Sequence, residues 1–288
     1  MTERALPHLT QASLPLSQSI DATDQHGQRL AVHVPVERAL TIYVNRAEIV
    51  TLMTLGAHPE WLVLGYLLSQ RLVGSAHEVE SITVDWDTSA AAVRTVSSGQ
   101  DTMPRNASRV VTTGCGQGSM FSDLIDALDP VSTHFPVVSH DTVAAIANAM
   151  RQHDTLYKKA GSVHACALFD GAALRCFIED VGRHNALDSI AGWRALQPIG
   201  PAATPACPIL YTTGRLTSEM IIKSAQMQIP VVISRSGTTA MAIEVAERHG
   251  VCAIGRALNQ RFLCYTHPSR IRFTTATAPS ASPTTSPA

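Results

Sequence analysis

The sequence has few aromatics, little charge and no paired cysteines. Of its 288 residues only 5% are aromatic, so the core must be built mainly from Val, Ile, Leu and Ala. Charged residues make up 16% and the net charge is -1, which argues against a broad basic face for nucleic acid or anionic membrane. None of the six cysteines (Cys115, Cys166, Cys176, Cys207, Cys252, Cys264) forms a C-x-x-C pair, and four lie in strand-like apolar runs. That usage gives little support to a structural metal site or a disulfide framework and points to a reduced, cytoplasmic chain. Residues 1–21 show no continuous apolar run between a basic start and a small-residue cleavage site, so no secretory signal is expected. The longest apolar stretch, residues 61–68, is far too short to cross a membrane. Neither nucleic acid nor membrane is therefore an expected partner.

Hydrophobic residues reach 45%, enough for a globular chain with a substantial core. Residues 1–28, polar with scattered Pro and Ser, read as a flexible leader. Residues 29–110 read as a β-rich α+β subdomain. In it, alternating runs flank the turn Asn45-Arg46, and a helix starts at Pro59-Glu60, with Trp61, Leu64, Leu67 and Leu68 at helical spacing. Residues 111–138 form a connecting segment around Cys115. Over residues 139–273 short apolar strands alternate with amphipathic helices, the pattern of an α/β domain with parallel strands under helices. Residues 274–288 collapse to Thr, Ala, Ser and Pro, a disordered tail.

Three segments could carry chemistry. Cys115 is flanked by Gly114 and Gly116, so no neighbouring side chain buries its sulfur. An exposed thiolate is a nucleophile and can hold sulfane sulfur as a persulfide; the plainer alternative is an idle loop cysteine. Next, three strand ends each supply arginine: Gly214, Arg215 and Ser218 after the first, Arg235 and Gly237 after the second, Arg256 and then Arg261 after the third. Parallel strands bring such ends to one edge, where free N–H groups at helix starts attract phosphate, although Ser218 and Thr238 or Thr239 would also cap helices in any α/β fold. The third segment, Glu179-Asp180-Val181-Gly182-Arg183-His184-Asn185, joins a strand to a helix. It is either a plain helix-start turn or a loop lining the same edge, where Glu179, Asp180, Arg183 and His184 could order the loop or assist protons. His164, within an apolar strand, reads as a core or supporting residue. His58-Pro59-Glu60 has the H-x-E spacing of zinc deaminases, but no P-C-x-x-C completes it, so it reads as a helix start and no metal site is expected.

Together these segments resemble the FdhD/NarQ family, the formate dehydrogenase accessory sulfurtransferases. The strings that carry the likeness are HPEWLVLGYLLSQRL (58–72), TTGCG (112–116), EDVGRHNALD (179–188), TGRLTSEMIIKS (213–224), AIEVAER (242–248) and YTHP (265–268). The resemblance implies a cytidine deaminase-like three-layer α/β/α domain that has lost its zinc, with the smaller β-rich subdomain before it. It implies a homodimer that takes sulfur from a cysteine desulfurase as a Cys115 persulfide. The sulfur would pass to the bis-molybdopterin guanine dinucleotide molybdenum cofactor, bound as substrate, before that cofactor enters formate dehydrogenase. The family's cofactor-binding stretch falls on Arg256, Ala257, Leu258, Asn259, Gln260 and Arg261. Many members carry C-G-x-C, whereas the second position here is Gly118, which leaves the loop without a thiol to form a competing disulfide. The rival reading is a chaperone that binds the cofactor without moving sulfur.

Overall fold

The computed structural model describes residues 5–96, 128–198 and 206–274, which include β1 (His8–Leu9), β2 (Ser17–Thr23), β3 (Arg29–Pro35), β4 (Arg38–Val44) and β5 (Ala47–Thr54). Asn45 and Arg46 take φ of 47° and 76°, the left-handed pair that a two-residue hairpin between twisted strands requires. Period-two alternation puts Leu40, Ile42 and Val44 on one buried face. Helix α1 (Pro59–Ser69) follows, with Pro near its first position and Glu60 in its first turn. After it come β6 (Val79–Asp85) and β7 (Ala90–Thr95). The first sheet runs β1-β6-β7-β4-β5, and Leu62, Val63, Leu64 and Leu67 of α1 join its core.

The segment read as a flexible leader is structured from residue 5. β1 pairs with β6, and β2 forms a ladder with β3. Its polarity hid the strands because β2 exposes most of its residues. Thr10 Oγ1 and the Ala12 amide also donate to the buried Glu60 carboxylate, at 2.8 and 2.7 Å, so the H-x-E glutamate anchors this segment.

The second half begins with β8 (Val138–Ser139), α2 (His140–Gln152), α3 (Leu156–Ala160), β9 (His164–Asp170), β10 (Ala173–Asp180) and α4 (Arg183–Ala195). It continues with β11 (Pro208–Thr212), α5 (Ser218–Gln226), β12 (Val231–Ser234), α6 (Ala240–His249), β13 (Cys252–Leu258), β14 (Arg261–Cys264) and β15 (Ile271–Arg272). The large sheet runs β10-β9-β11-β12-β13-β14, with β11, β12 and β13 parallel. α4, α5 and α6 pack on one face through Leu187, Ile190, Ile221, Ile222, Val245 and Ala246. α2 packs on the other through Val143, Ile146 and Met150, giving three layers. β11 and β12 are buried throughout because helices cover both faces, and their sequences read as unbroken apolar runs. β13, the third of the arginine-bearing strands, is longer than its sequence suggests. It runs on to Leu258, and a turn at Asn259, with φ of 57°, returns it as β14.

The two sheets are joined through α1 and α4, whose backbones touch. A Cβ built on Gly65 would lie 1.7 Å from the Asp188 carbonyl oxygen, and one on Gly192 would lie 1.9 Å from the Trp61 carbonyl oxygen. Alanine in a helix gains about 1 kcal/mol over glycine in propensity, whereas overpacking a close contact costs about 1–3 kcal/mol and occasionally more. A contact this short puts the clash in command. Gly65→Ala and Gly192→Ala should each lower the urea midpoint, by about 2 kcal/mol of stability or more, with little change in slope. An unchanged or raised midpoint would mean that the helices are not in backbone contact.

Candidate functional site

Strand direction gathers the arginines. β10 is antiparallel to β9, and β9 is antiparallel to β11. The C-terminal ends of β10, β11, β12 and β13 therefore share one sheet edge with the start of β9. From β10 to β13 this edge spans four strand spacings, about 19 Å. On it lie Glu179 to His184, His164, Thr213 to Arg215, Arg235 to Gly237, and Arg256.

The three junctions hold one another. The Arg235 amide donates to Thr212 O at 3.0 Å, the Ser234 hydroxyl to Gly214 O at 2.6 Å, the Leu216 amide to Gly237 O at 2.9 Å, and the Arg256 amide to Ser236 O at 2.7 Å. The loops are thus fixed by main-chain bonds, and the arginine side chains are left to solvent. Arg215, Arg235 and Arg256 are exposed, and Arg183 is half-buried. Gly214 gives Arg183 room: a Cβ there would sit 2.8 Å from the Arg183 Cδ. The Arg235 guanidinium lies 5.4 Å from the centre of the half-exposed Tyr157 ring. Gly237 has open space where a side chain would be.

Not every expected residue sits as the sequence suggested. Thr217, not Ser218, holds the cap position of α5, without a side-chain cap bond, and its Oγ1 is buried with no hydrogen-bond partner. Ser218 opens the helix and is half-buried. Within residues 256–261, Arg256, Leu258, Asn259, Gln260 and Arg261 are exposed, while Ala257 is 2% exposed and packs into the core against α2. Arg256 takes a φ of 53° at the irregularity between Gly255 and Leu258, a bulge in the β13–β14 ladder. Cys115 lies outside the described residues.

The EDVGRHNALD string divides into two sets. Glu179 accepts from the Leu156 and Tyr157 amides at 2.6 and 3.1 Å, which ties α3 and the Tyr157 ring to the edge. Asp180 accepts from the Thr54 hydroxyl at 2.5 Å, the Leu55 and Gly182 amides at 3.2 Å each, and Asn185 at 2.9 Å. Burial pushes the Asp180 carboxyl up, and these donors pull it back. Both acids therefore order the loop, with their oxygens already engaged. Asp188 is buried between the Ser69 hydroxyl at 2.6 Å and Lys223 Nζ at 2.8 Å, and Lys223 also meets Glu219 at 3.1 Å. Burial opposes the Lys223 ammonium, but the two carboxylates outweigh it and hold its pKa above the ordinary lysine range.

Arg183 and His184 form the other set. Arg183 Nε is buried without a hydrogen-bond partner. His184 Nε2 lies 3.5 Å from Glu219 Oε2, within ion-pair reach but without a directed hydrogen bond. Burial pushes His184 down to about 4 against the pull of Glu219, so its imidazole is neutral at neutral pH. Burial lowers His164 as well, helped by the charges of Arg183 and Arg215. Sequence reasoning missed Tyr157, Asp188, Glu219 and Lys223 as supports of this edge. For Glu219 and Lys223 the available signal was their i,i+4 spacing at the start of α5.

The structure is that of an α/β protein whose sheet edge presents several arginines, able to pair with anionic oxygens, while the nearby carboxylates are already engaged. The chain belongs to the FdhD/NarQ family, whose model matches residues 35–272. It is 33% identical over 239 residues to a sulfur carrier protein FdhD of Bacillus subtilis (strain 168), covering 82% of this chain and 89% of that one. It is 32% identical over 241 residues to the protein of the same name from Bacillus pumilus (strain SAFR-032), with 82% and 88% covered. A crystal structure of a candidate formate dehydrogenase accessory protein from Desulfotalea psychrophila superposes with a TM-score of 0.71 at 25% identity. It covers 90% of this chain and 100% of that one. Among the described residues, no helix is long and apolar enough to cross a membrane.

A histidine whose folded pKa is depressed contributes stability above its unfolded pKa, and that contribution is lost as pH falls toward the folded value. For His184 the window runs from about 6.5 down to about 4, with up to about 3 kcal/mol at stake. The imidazole C2–H resonance of His184 should titrate below pH 5, and His184→Gln should flatten the loss of stability across this window. Titration near 6.5 would show that the ring is solvated rather than enclosed.

Proposed function

We propose that this chain is a sulfur carrier of the sulfurtransferase type, acting in the cytoplasm as a homodimer on a cytidine deaminase-like scaffold. The observation that carries the reading is membership of the FdhD/NarQ family over residues 35–272, in a chain whose TTGCG string supplies one glycine-flanked cysteine. The Cys115 thiolate attacks the outer sulfur of a cysteine desulfurase persulfide. The donor cysteine leaves as thiolate, and the sulfur remains as the Cys115 persulfide. The carrier would then pass the outer sulfur to the molybdenum of the bis-molybdopterin guanine dinucleotide cofactor, its substrate, before that cofactor enters formate dehydrogenase. The S–S bond breaks, Cys115 is released as thiolate, and the two electrons that take the transferred sulfur to the sulfide level would come from the reduced metal.

The arginine edge supports the cofactor half of this reading. Arg215, Arg235 and Arg256 present exposed guanidinium groups that can pair with pyrophosphate oxygens, and Gly237 leaves open space beside them. Loops fixed by main-chain bonds lose little freedom when the ligand arrives, so more of the contact energy goes into positioning. Glu179 and Asp180 hold the loop, and the neutral His184 lies beside it without adding charge.

Two measurements test the two halves separately. Incubation with a cysteine desulfurase and cysteine should add sulfur mass to the intact protein, and Cys115→Ala should abolish the gain. Absence of an adduct at Cys115 would favour a cofactor chaperone that moves no sulfur. GDP serves as probe for the guanine nucleotide arm in calorimetry. Arg235→Ala or Arg215→Ala should each weaken its binding about tenfold, corresponding to about 1.4 kcal/mol, and reduce its salt dependence. Unchanged affinity in both variants would remove the edge from the cofactor site.

A further inference from the structure

Outside the arginine edge, one pair of side chains among the described residues stands in a chemically reactive relation. Cys252 on β13 and Cys264 on β14 bring their sulfurs to 3.7 Å, in S–H···S contact. The register pairs Ile254 with Cys264, so Cys252 and Cys264 are diagonal neighbours on one face of the antiparallel ladder, both packed in the core beneath α2. Cys252 is fully buried, whereas Cys264 keeps part of its surface in solvent and lies 3.4 Å from Thr266 O. Cys166 and Cys176 offer no comparable pair: burial raises both thiols to about 12, and Cys166 Sγ is occupied by Thr212 Oγ1 at 3.4 Å and Arg183 O at 3.7 Å. Cys264 is the one of the two that reaches solvent, and a sulfhydryl donated by Cys252 favours its thiolate, so it is the better placed nucleophile.

We propose that Cys252 and Cys264 form a reversible oxidation site, a dithiol that closes to a disulfide when a peroxide reaches Cys264. In the first step the Cys264 thiolate attacks the peroxide O–O bond, forming a sulfenic acid, and hydroxide leaves and is protonated to water. In the second the Cys252 sulfur displaces the sulfenic hydroxyl, which departs with the Cys252 proton as a second water. The net change is two thiols and one hydrogen peroxide to one disulfide and two waters. The sulfurs must close from 3.7 Å to about 2.05 Å, and β14, a four-residue strand at the sheet edge, is placed to make that movement. The bond fastens the base of the turn that carries Arg256 to Arg261, so the oxidised chain holds this turn between two covalently joined strands.

The site does not depend on the sulfur-carrier reading, and its test is separate. The full-length protein is treated with limiting hydrogen peroxide, thiols are blocked, and the chain is digested with trypsin without reduction. Cleavage after Arg248, Arg256, Arg261 and Arg270 places the two cysteines in different peptides, 249–256 and 262–270. The expected product is these two peptides joined, two hydrogens lighter than their sum, and separated again by dithiothreitol. In Cys252→Ser the disulfide cannot form, and Cys264 should instead be trapped as a sulfenic acid by dimedone. Recovery of both peptides as blocked thiols, or of Cys264 as sulfinic acid with no joined peptide, would overturn the proposal. Capture of Cys264 by any other cysteine of the chain would overturn it too.

Discussion

Asp188 is a carboxylate shut off from bulk solvent, 2% exposed. It survives in the core because two elements reach it at once, Ser69 at the end of α1 and Lys223 in the middle of α5. Bringing a carboxylate and an ammonium out of water costs several kcal/mol per ion, and their attraction repays this only at close, well-satisfied geometry. The Ser69 bond can form because Gly65 and Gly192 let α1 and α4 touch backbone to backbone. The glycine contact sets the distance between α1 and α4, the Ser69–Asp188 bond fixes their register, and the ion pair to Lys223 ties α4 to α5. The β-rich first half is thereby tied to the layer that carries the arginine edge. Glu219, paired to the same Lys223, carries the linkage on to His184 at the edge itself.

The densest polar string in the sequence therefore does two jobs. Asp180, Asn185 and Asp188 look inward to the first half, with Asn185 donating to Met53 O at 2.6 Å, and Glu179 binds α3. Arg183 and His184 sit between these anchors and face the edge. Charged and amide groups this buried are held by specific partners, so any shift of α1 against α4 would be felt at once by the loop carrying Arg183.

Much of this was legible from residue pattern alone. Asn45-Arg46 marked its hairpin, the apolar runs around Leu210 and Val232 marked buried parallel strands, and Pro59-Glu60 marked a helix start. Strand ends bearing arginine were visible as well, because parallel order places them on one edge whatever the details of packing. What the pattern hid has physical reasons. Among the described residues β2 pairs with β3 alone, and it exposes most of its own residues, so it carries no apolar alternation. β14 is an edge strand of four residues, too short for periodicity to show. Asp188 reads as an ordinary helical acid, since nothing local announces a lysine 35 residues on, and the Cys252–Cys264 contact depends on a ladder register that sequence does not specify.

The placement of Arg256 shows how the edge remains usable. A strand continuing straight beyond Gly255 would point Arg256 to the face covered by α2, together with Cys252 and Ile254. The left-handed residue at Arg256 shifts that order by one, so Ala257 takes the α2 face while Arg256 and Leu258 stay in solvent. Its amide is held by Ser236 O, so the departure from regular strand geometry is fixed rather than free. A non-glycine residue in this conformation costs on the order of 1 kcal/mol and persists only where its surroundings over-determine it. Here they do so from both sides, through the neighbouring junction and the return strand β14. The same sheet register that gathers the arginine-bearing strand ends therefore also sets the angle at which the last arginine is presented.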